Sequence, residues 1–175
     1  GDFSEVTLTP RNVLSQIHVN VKVPSIGYLR YARGSLTGIS EGYLLGQGKP
    51  LKSKVTYLLE SWTKSIDEND ATLGTLKTSL KCFGLPETDH PSAENNKLSL
   101  SALLIDNKTQ VDYQFPVGDK FKKDENSSDS GYIVSLHVDV DAPPLPEVKP
   151  SEGSSGGFDV TIQDWGKPED IDMEL

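Results

Sequence analysis

From Val13 to Val23 the side chains alternate without a break. Val13, Ser15, Ile17, Val19, Val21 and Val23 take one phase, and Leu14, Gln16, His18, Asn20 and Lys22 take the other. A period of two belongs to an extended strand, whose successive side chains point to opposite faces. One phase is nearly all β-branched and the other mostly polar, so this strand lies half buried, dry on one side and wet on the other. Pro24 ends it, because proline has no N–H to give to a ladder.

The same alternation recurs along the chain. Leu98, Leu100, Ala102 and Leu104 share one phase, the tight turn Asp106-Asn107-Lys108 follows, and Val111, Tyr113 and Phe115 form the returning arm. This is the clearest hairpin. Further strands are expected over 28–39 with a bend near Gly34, over 55–62, over 73–83 and from Val134 to Val140. For 28–39 a short amphipathic helix is the alternative. Tyr43-Leu44-Leu45, bracketed by Gly42, Gly46 and Gly48, reads as a hairpin arm. Asp67-Glu68-Asn69-Asp70 reads as a turn, 87–96 as a long polar loop, 116–123 as one helical turn and 124–131 as a loose tip. Pro143-Pro144-Leu145-Pro146 and the Ser/Gly run that follows make 143–157 a flexible connector. Beyond it, Phe158, Val160 and Ile162, then Ile171, Met173 and Leu175, repeat the strand pattern.

No run of ten or more residues carries a convincing helical period, which disfavours a βαβ architecture. The expectation is therefore a single all-β domain over 1–175, an antiparallel Greek-key β-sandwich of about seven to nine strands.

Charge narrows the function. The 175 residues hold 17 Lys and Arg against 26 Asp and Glu, a formal net charge of −9. Phosphate binding needs clustered cations. The nearest clusters, Lys49, Lys52 and Lys54, and Lys120, Lys122 and Lys123, sit among turn residues as solvated faces, so no nucleic-acid partner is expected. No apolar run is long enough for a membrane helix. The first residue is Gly1 rather than Met. That is the mark of a processed chain or an expression remnant, and it leaves room for a secretion signal or lipid anchor upstream.

No constellation of catalytic residues is visible. Cys82, the single cysteine, lies on the apolar phase of its strand and reads as a small buried side chain. His18 and His137 lie on polar strand phases and His90 lies in a loop, with no spacing that suits a transition metal. Ten carboxylates fall between Asp139 and Leu175: Asp139, Asp141, Glu147, Glu152, Asp159, Asp164, Glu169, Asp170, Asp172 and Glu174. They read as solvent-face charge rather than as a Ca²⁺ site, and 67–74 lacks the ligand spacing of a Ca²⁺ loop. No metal, cofactor or catalytic residue is expected, and the ligand-binding residues are left unassigned. Trp62, Trp165, Tyr28, Tyr31 and Tyr43 read mainly as packing aromatics, with stacking on sugar rings as the alternative. Asn107-Lys108-Thr109 and Asn126-Ser127-Ser128 match a glycosylation acceptor pattern.

Three stretches carry a family likeness. They are the tail from Gly156-Gly157-Phe158-Asp159-Val160 through Thr161-Ile162-Gln163-Asp164-Trp165 to Ile171-Asp172-Met173, the opening Leu8-Thr9-Pro10-Arg11, and 31–39. Together they resemble the fimbrillin-associated and minor fimbrial lipoproteins of Bacteroidales-type bacteria, some of which are described as polysaccharide-binding. The resemblance implies a transthyretin-like sandwich and an outer-membrane, cell-surface location. It also implies that the chain corresponds to the second domain of a two-domain lipoprotein precursor whose lipobox cysteine and first domain lie upstream. Its implied role is non-enzymatic: an accessory, anchor or tip-type fimbrial subunit, with other fimbrial subunits or its own N-terminal domain as partners. A carbohydrate-binding module, with a glycan as partner, is the alternative. Under the first reading the terminal segments 3–8 and 170–175 are the candidates for β-strand addition between subunits.

Overall fold

A computed structural model describes residues 13–125 and 134–151. The fold is all-β. Eleven strands run in chain order: β1 (Ser15–Lys22), β2 (Leu29–Ser40), β3 (Tyr43–Leu44), β4 (Lys49–Pro50), β5 (Lys54–Leu59), β6 (Thr63–Ile66), β7 (Gly74–Cys82), β8 (Lys97–Leu104), β9 (Gln110–Pro116), β10 (Lys122–Lys123) and β11 (Ser135–Asp141). Two sheets form a sandwich: a five-stranded sheet in the order β10-β11-β1-β7-β6 and a four-stranded sheet in the order β5-β2-β8-β9. A small β3-β4 hairpin stands beside them.

β1 lies at the centre of its sheet. β1 pairs antiparallel with β7, placing Ile17 opposite Leu80, Val19 opposite Thr78 and Val21 opposite Leu76. On its other side it pairs with β11, with Val19 opposite Val138 and Val21 opposite Val140. That second pairing is parallel, the exception in otherwise antiparallel sheets. It arises because more than a hundred residues separate the two strands, and the intervening chain crosses to the other sheet and back. Ile17, Val19 and Val21 are wholly buried, as are Leu36, Leu98 and Leu104 from the facing sheet. These inner rows join in one core cluster with Ile26, Leu29, Ile39, Leu76 and Leu100.

Residues 28–39 form the long strand β2 and not a helix. Its register shifts between Leu36 and Ile39 against β5, and Gly38 there takes φ +79°. Residues 55–62, expected as one strand, split. β5 stops at Leu59, and the chain turns a corner at Trp62 to start β6 in the other sheet. Trp62 is buried, and its Nε1 donates to the Leu59 carbonyl at 2.8 Å, so the indole fastens the corner it occupies. The helical turn expected over 116–123 is instead a tight turn, in which the Lys120 N–H donates to the Val117 carbonyl at 2.9 Å, followed by β10. The short length of that segment and the nearby β11 edge favour pairing over coiling.

The connector expected to be flexible is docked over 143–151. The Leu145 N–H donates to the Pro24 carbonyl at 3.1 Å, the Ser151 N–H donates to the Ile105 carbonyl at 3.0 Å, and the Tyr113 hydroxyl donates to the Pro143 carbonyl at 3.0 Å. Leu145 is buried and Val148 packs on the core. The rest of that connector, the terminal segments 3–8, 158–162 and 170–175, Trp165 and Asn126 lie outside the described residues.

Gly34 is held by space rather than by backbone dihedral. A Cβ at this position would stand 2.3 Å from the Ser99 carbonyl oxygen on β8 and 3.4 Å from the Trp62 ring. Glycine in a strand interior ordinarily weakens it, so Ala is expected to help by about 0.5–1 kcal/mol. Here overpacking, at about 1–3 kcal/mol, decides the sign. Gly34→Ala is expected to lower stability in urea unfolding monitored by Trp fluorescence. An unchanged or raised midpoint would show that β2 and β8 separate freely.

Candidate functional site

Two features of the described surface offer themselves to a partner: the sheet edges and a groove at one end of the sandwich. The edges differ in how they are guarded. β10 is only two residues long and both are lysines. β6 turns Lys64 inward, opposite Leu76, where its Nζ donates to the Leu29 carbonyl at 3.1 Å and burial pulls its pKa below the ordinary lysine range. An inward charge of this kind discourages a further strand. β9 ends at Pro116 and lines its outer phase with Gln110, Asp112 and Gln114. β5 has none of these defences past Lys54. Thr56 is exposed, Val55 and Tyr57 are half-buried, and Leu58 is 72% exposed. Among the described residues β5 is bounded by β2 on one side and by no strand on the other.

The groove lies where β2, β7 and β9 end and where β5, β8, β10 and β11 begin. Its volume is about 600 Å³. Leu85, Phe121 and Leu136, all packed on the core, give it an apolar floor. Lys52, Lys54, Glu87 and Asp119 stand exposed around it. None of the four forms an ion pair among the described residues. Asn96 forms part of the wall and is only 5% exposed. Its Nδ2 donates to the carbonyls of Thr37 and Gly38 at 2.9 and 3.1 Å. Its Oδ1 accepts no hydrogen bond from a described residue. A buried acceptor left unmet costs about 1–3 kcal/mol, a cost removed by water or by a ligand hydroxyl. Gly38 makes the arrangement possible. A Cβ there would lie 2.3 Å from the Asn95 carbonyl oxygen and 2.6 Å from Asn96 Nδ2.

A third feature is a polar clasp on the outer face of the five-stranded sheet. His137 and His18 sit side by side in the parallel β1-β11 register. His137 Nδ1 donates to Asp124 Oδ1, and its Nε2 lies 3.7 Å from Asp139 Oδ2. Ser135 Oγ donates to Asp124 Oδ2 at 2.9 Å, while the Asp124 N–H donates to the Ser135 carbonyl at 2.8 Å. The hydrogen bond from His137 is the main cause that holds the Asp124 carboxyl below the ordinary carboxylate range. The clasp fastens the short β10 segment to β11.

The residues singled out from the sequence scatter. Trp62 is buried at its corner and unavailable to a sugar ring, and Tyr31 is buried with the Arg30 guanidinium 5.1 Å from its ring centroid. Tyr28 and Tyr43 are half-buried on separate elements. Cys82 is buried, and burial pushes its thiol up. His90 is exposed in its loop. In the 67–74 turn the carboxylates are used internally: Asp67 Oδ1 accepts from the Asn69 N–H and Asp70 Oδ1 from the Thr72 N–H. The Asn107 side-chain nitrogen donates to Ser151 Oγ at 2.7 Å, tying the hairpin turn to the docked connector. Of the lysines, only Lys52 and Lys54 reach the groove. Asn96, Glu87, Asp119 and Phe121 were not singled out. They come from two loops distant in sequence, 83–96 and 117–121, so no local motif marks them.

No protein-family model matches this chain, and no curated protein matches it. Among solved structures it is similar to the crystal structure of a protein titled "putative adhesin" from Bacteroides ovatus, at a TM-score of 0.41 and 15% identity. The match covers 78% of this chain and 50% of that one, so the chain spans about half the length of the protein it matches.

The clasp gives a pH dependence with a definite sign. A carboxyl whose folded pKa is depressed stabilises fully above its unfolded value and loses that contribution as pH falls through the folded one. For Asp124 the loss therefore sets in below the ordinary value of 3.8. Asp124→Asn is expected to melt lower than the parent chain at about pH 6, with the gap narrower at about pH 3. Differential scanning fluorimetry at the two pH values checks this; a gap independent of pH would remove the ionised clasp.

Proposed function

We propose that this chain is a non-enzymatic cell-surface adhesion module, an accessory, anchor or tip-type subunit of bacterial fimbriae that assembles by β-strand addition. The observation that carries the reading is the β5 edge, open among the described residues, with its exposed Leu58. An incoming strand there gains main-chain hydrogen bonds of about 0.5–1.5 kcal/mol each and covers an apolar side chain. The donors on this reading are the terminal segments 3–8 and 170–175, with other fimbrial subunits or the protein's own N-terminal domain as partners. In the second of them Ile171, Met173 and Leu175 alternate with acidic residues, a pattern that suits that role. The outer-membrane location and the lipid anchor on upstream sequence belong to the same reading.

Leu58→Lys tests it. The side chain is exposed, so the change is expected to leave unfolding stability within about 0.5 kcal/mol. Self-association, or association with co-purified fimbrial subunits, is expected to fall sharply in analytical ultracentrifugation. Deletion of 170–175 is expected to act alike if that segment is the donor. Association that survives Leu58→Lys unchanged would rule out β5 as the acceptor edge.

A further inference from the structure

We propose that the groove at the end of the sandwich is a binding site for a neutral sugar residue. Three observations converge on this ligand class.

The first is the charge balance. Lys52 and Lys54 oppose Glu87 and Asp119 around the rim, and none of the four is spent in an ion pair among the described residues. Two positive and two negative charges cancel, which favours neither an anion nor a cation. Together they present strong donors and strong acceptors around one opening, and a ring of hydroxyls, each both donor and acceptor, satisfies such a rim.

The second is the buried Asn96 amide. Its nitrogen is committed to the Thr37 and Gly38 carbonyls, which fixes the side chain at the groove wall and leaves Oδ1 without a hydrogen bond from a described residue. A hydroxyl is a fitting donor for it.

The third is the apolar floor. Phe121, Leu85 and Leu136 offer a surface to the C–H face of a pyranose ring. A cavity of about 600 Å³ lies within the size range of small-ligand sites.

This places a carbohydrate function on residues remote from Trp62, whose burial removes it as a platform. The site does not depend on strand addition at β5, since Leu58 is not part of the groove. The two readings therefore fail separately.

The test is a titration of the ¹⁵N-labelled full chain with glucose, galactose, mannose and N-acetylglucosamine and with a disaccharide of each, followed by NMR. Saturable amide shifts are expected at Leu85, Glu87 and Thr88, and in 95–96 and 118–121. The exposed double change Glu87→Gln with Asp119→Asn is expected to weaken the best sugar about tenfold with an unchanged melting temperature. Leu58→Lys serves as a control that leaves sugar binding intact. Absence of saturable shifts at these residues up to about 50 mM sugar would overturn the proposal. So would groove shifts driven by sodium phosphate or a short peptide but by no sugar, or equal sugar binding by the double variant.

Discussion

The inner row of β1 is the constraint on which the rest of the structure depends. Ile17, Val19 and Val21 are wholly buried and are hydrogen-bonded into strands on both flanks, β7 on one side and β11 on the other. A one-residue slip of β1 would move that row to water and bring Gln16, His18 and Asn20 to the core. Both neighbouring strands must therefore hold their registers, and β2 and β8 must face them across the sandwich. The parallel β1-β11 pair follows from the same demand. The free side of β1 needs a partner with its own dry row, and Val138 and Val140 supply it although they arrive late in the chain.

What the core fixes, the ends and edges exploit. With the strand registers set, the loops at one end converge around an apolar floor and enclose the groove, while the bulge of β2 at Gly38 lets Asn96 approach from the loop ahead of β8. At the edges the chain answers the same hazard in several ways: brevity and lysines at β10, an inward Lys64 at β6, a terminal proline at β9. β5 stands apart because its exposed phase carries Leu58.

The legibility of the fold tracks how one-sided each strand is. β1, β8 and the β8-β9 hairpin were plain in the sequence because each buries one face against the core and wets the other. β6 was missed because an edge strand with Thr63 and Ser65 outside and Lys64 inside shows no apolar phase. The corner at Trp62 was hidden because Leu59 and Trp62 continue an apolar run whose direction changes between sheets. The docking of 143–151 was likewise unreadable. Its prolines and charges look like a linker, and only the positions of Pro24, Ile105 and Tyr113 give it something to hold. The groove was wholly illegible, for Lys52, Glu87, Asn96 and Phe121 have no spacing in common.

The sequence by itself determined that this chain is layered β-structure, with which residues are dry and which are wet in its main strands. Side-chain alternation is a local property, set by neighbours two positions apart. Tertiary structure alone decided which strands became neighbours, that β11 runs parallel to β1, which edge is open among the described residues, and that three separated loops close around one groove. Those outcomes depend on contacts between residues tens of positions apart, whose entropy of closure is met by the core as a whole and leaves no local trace in the chain.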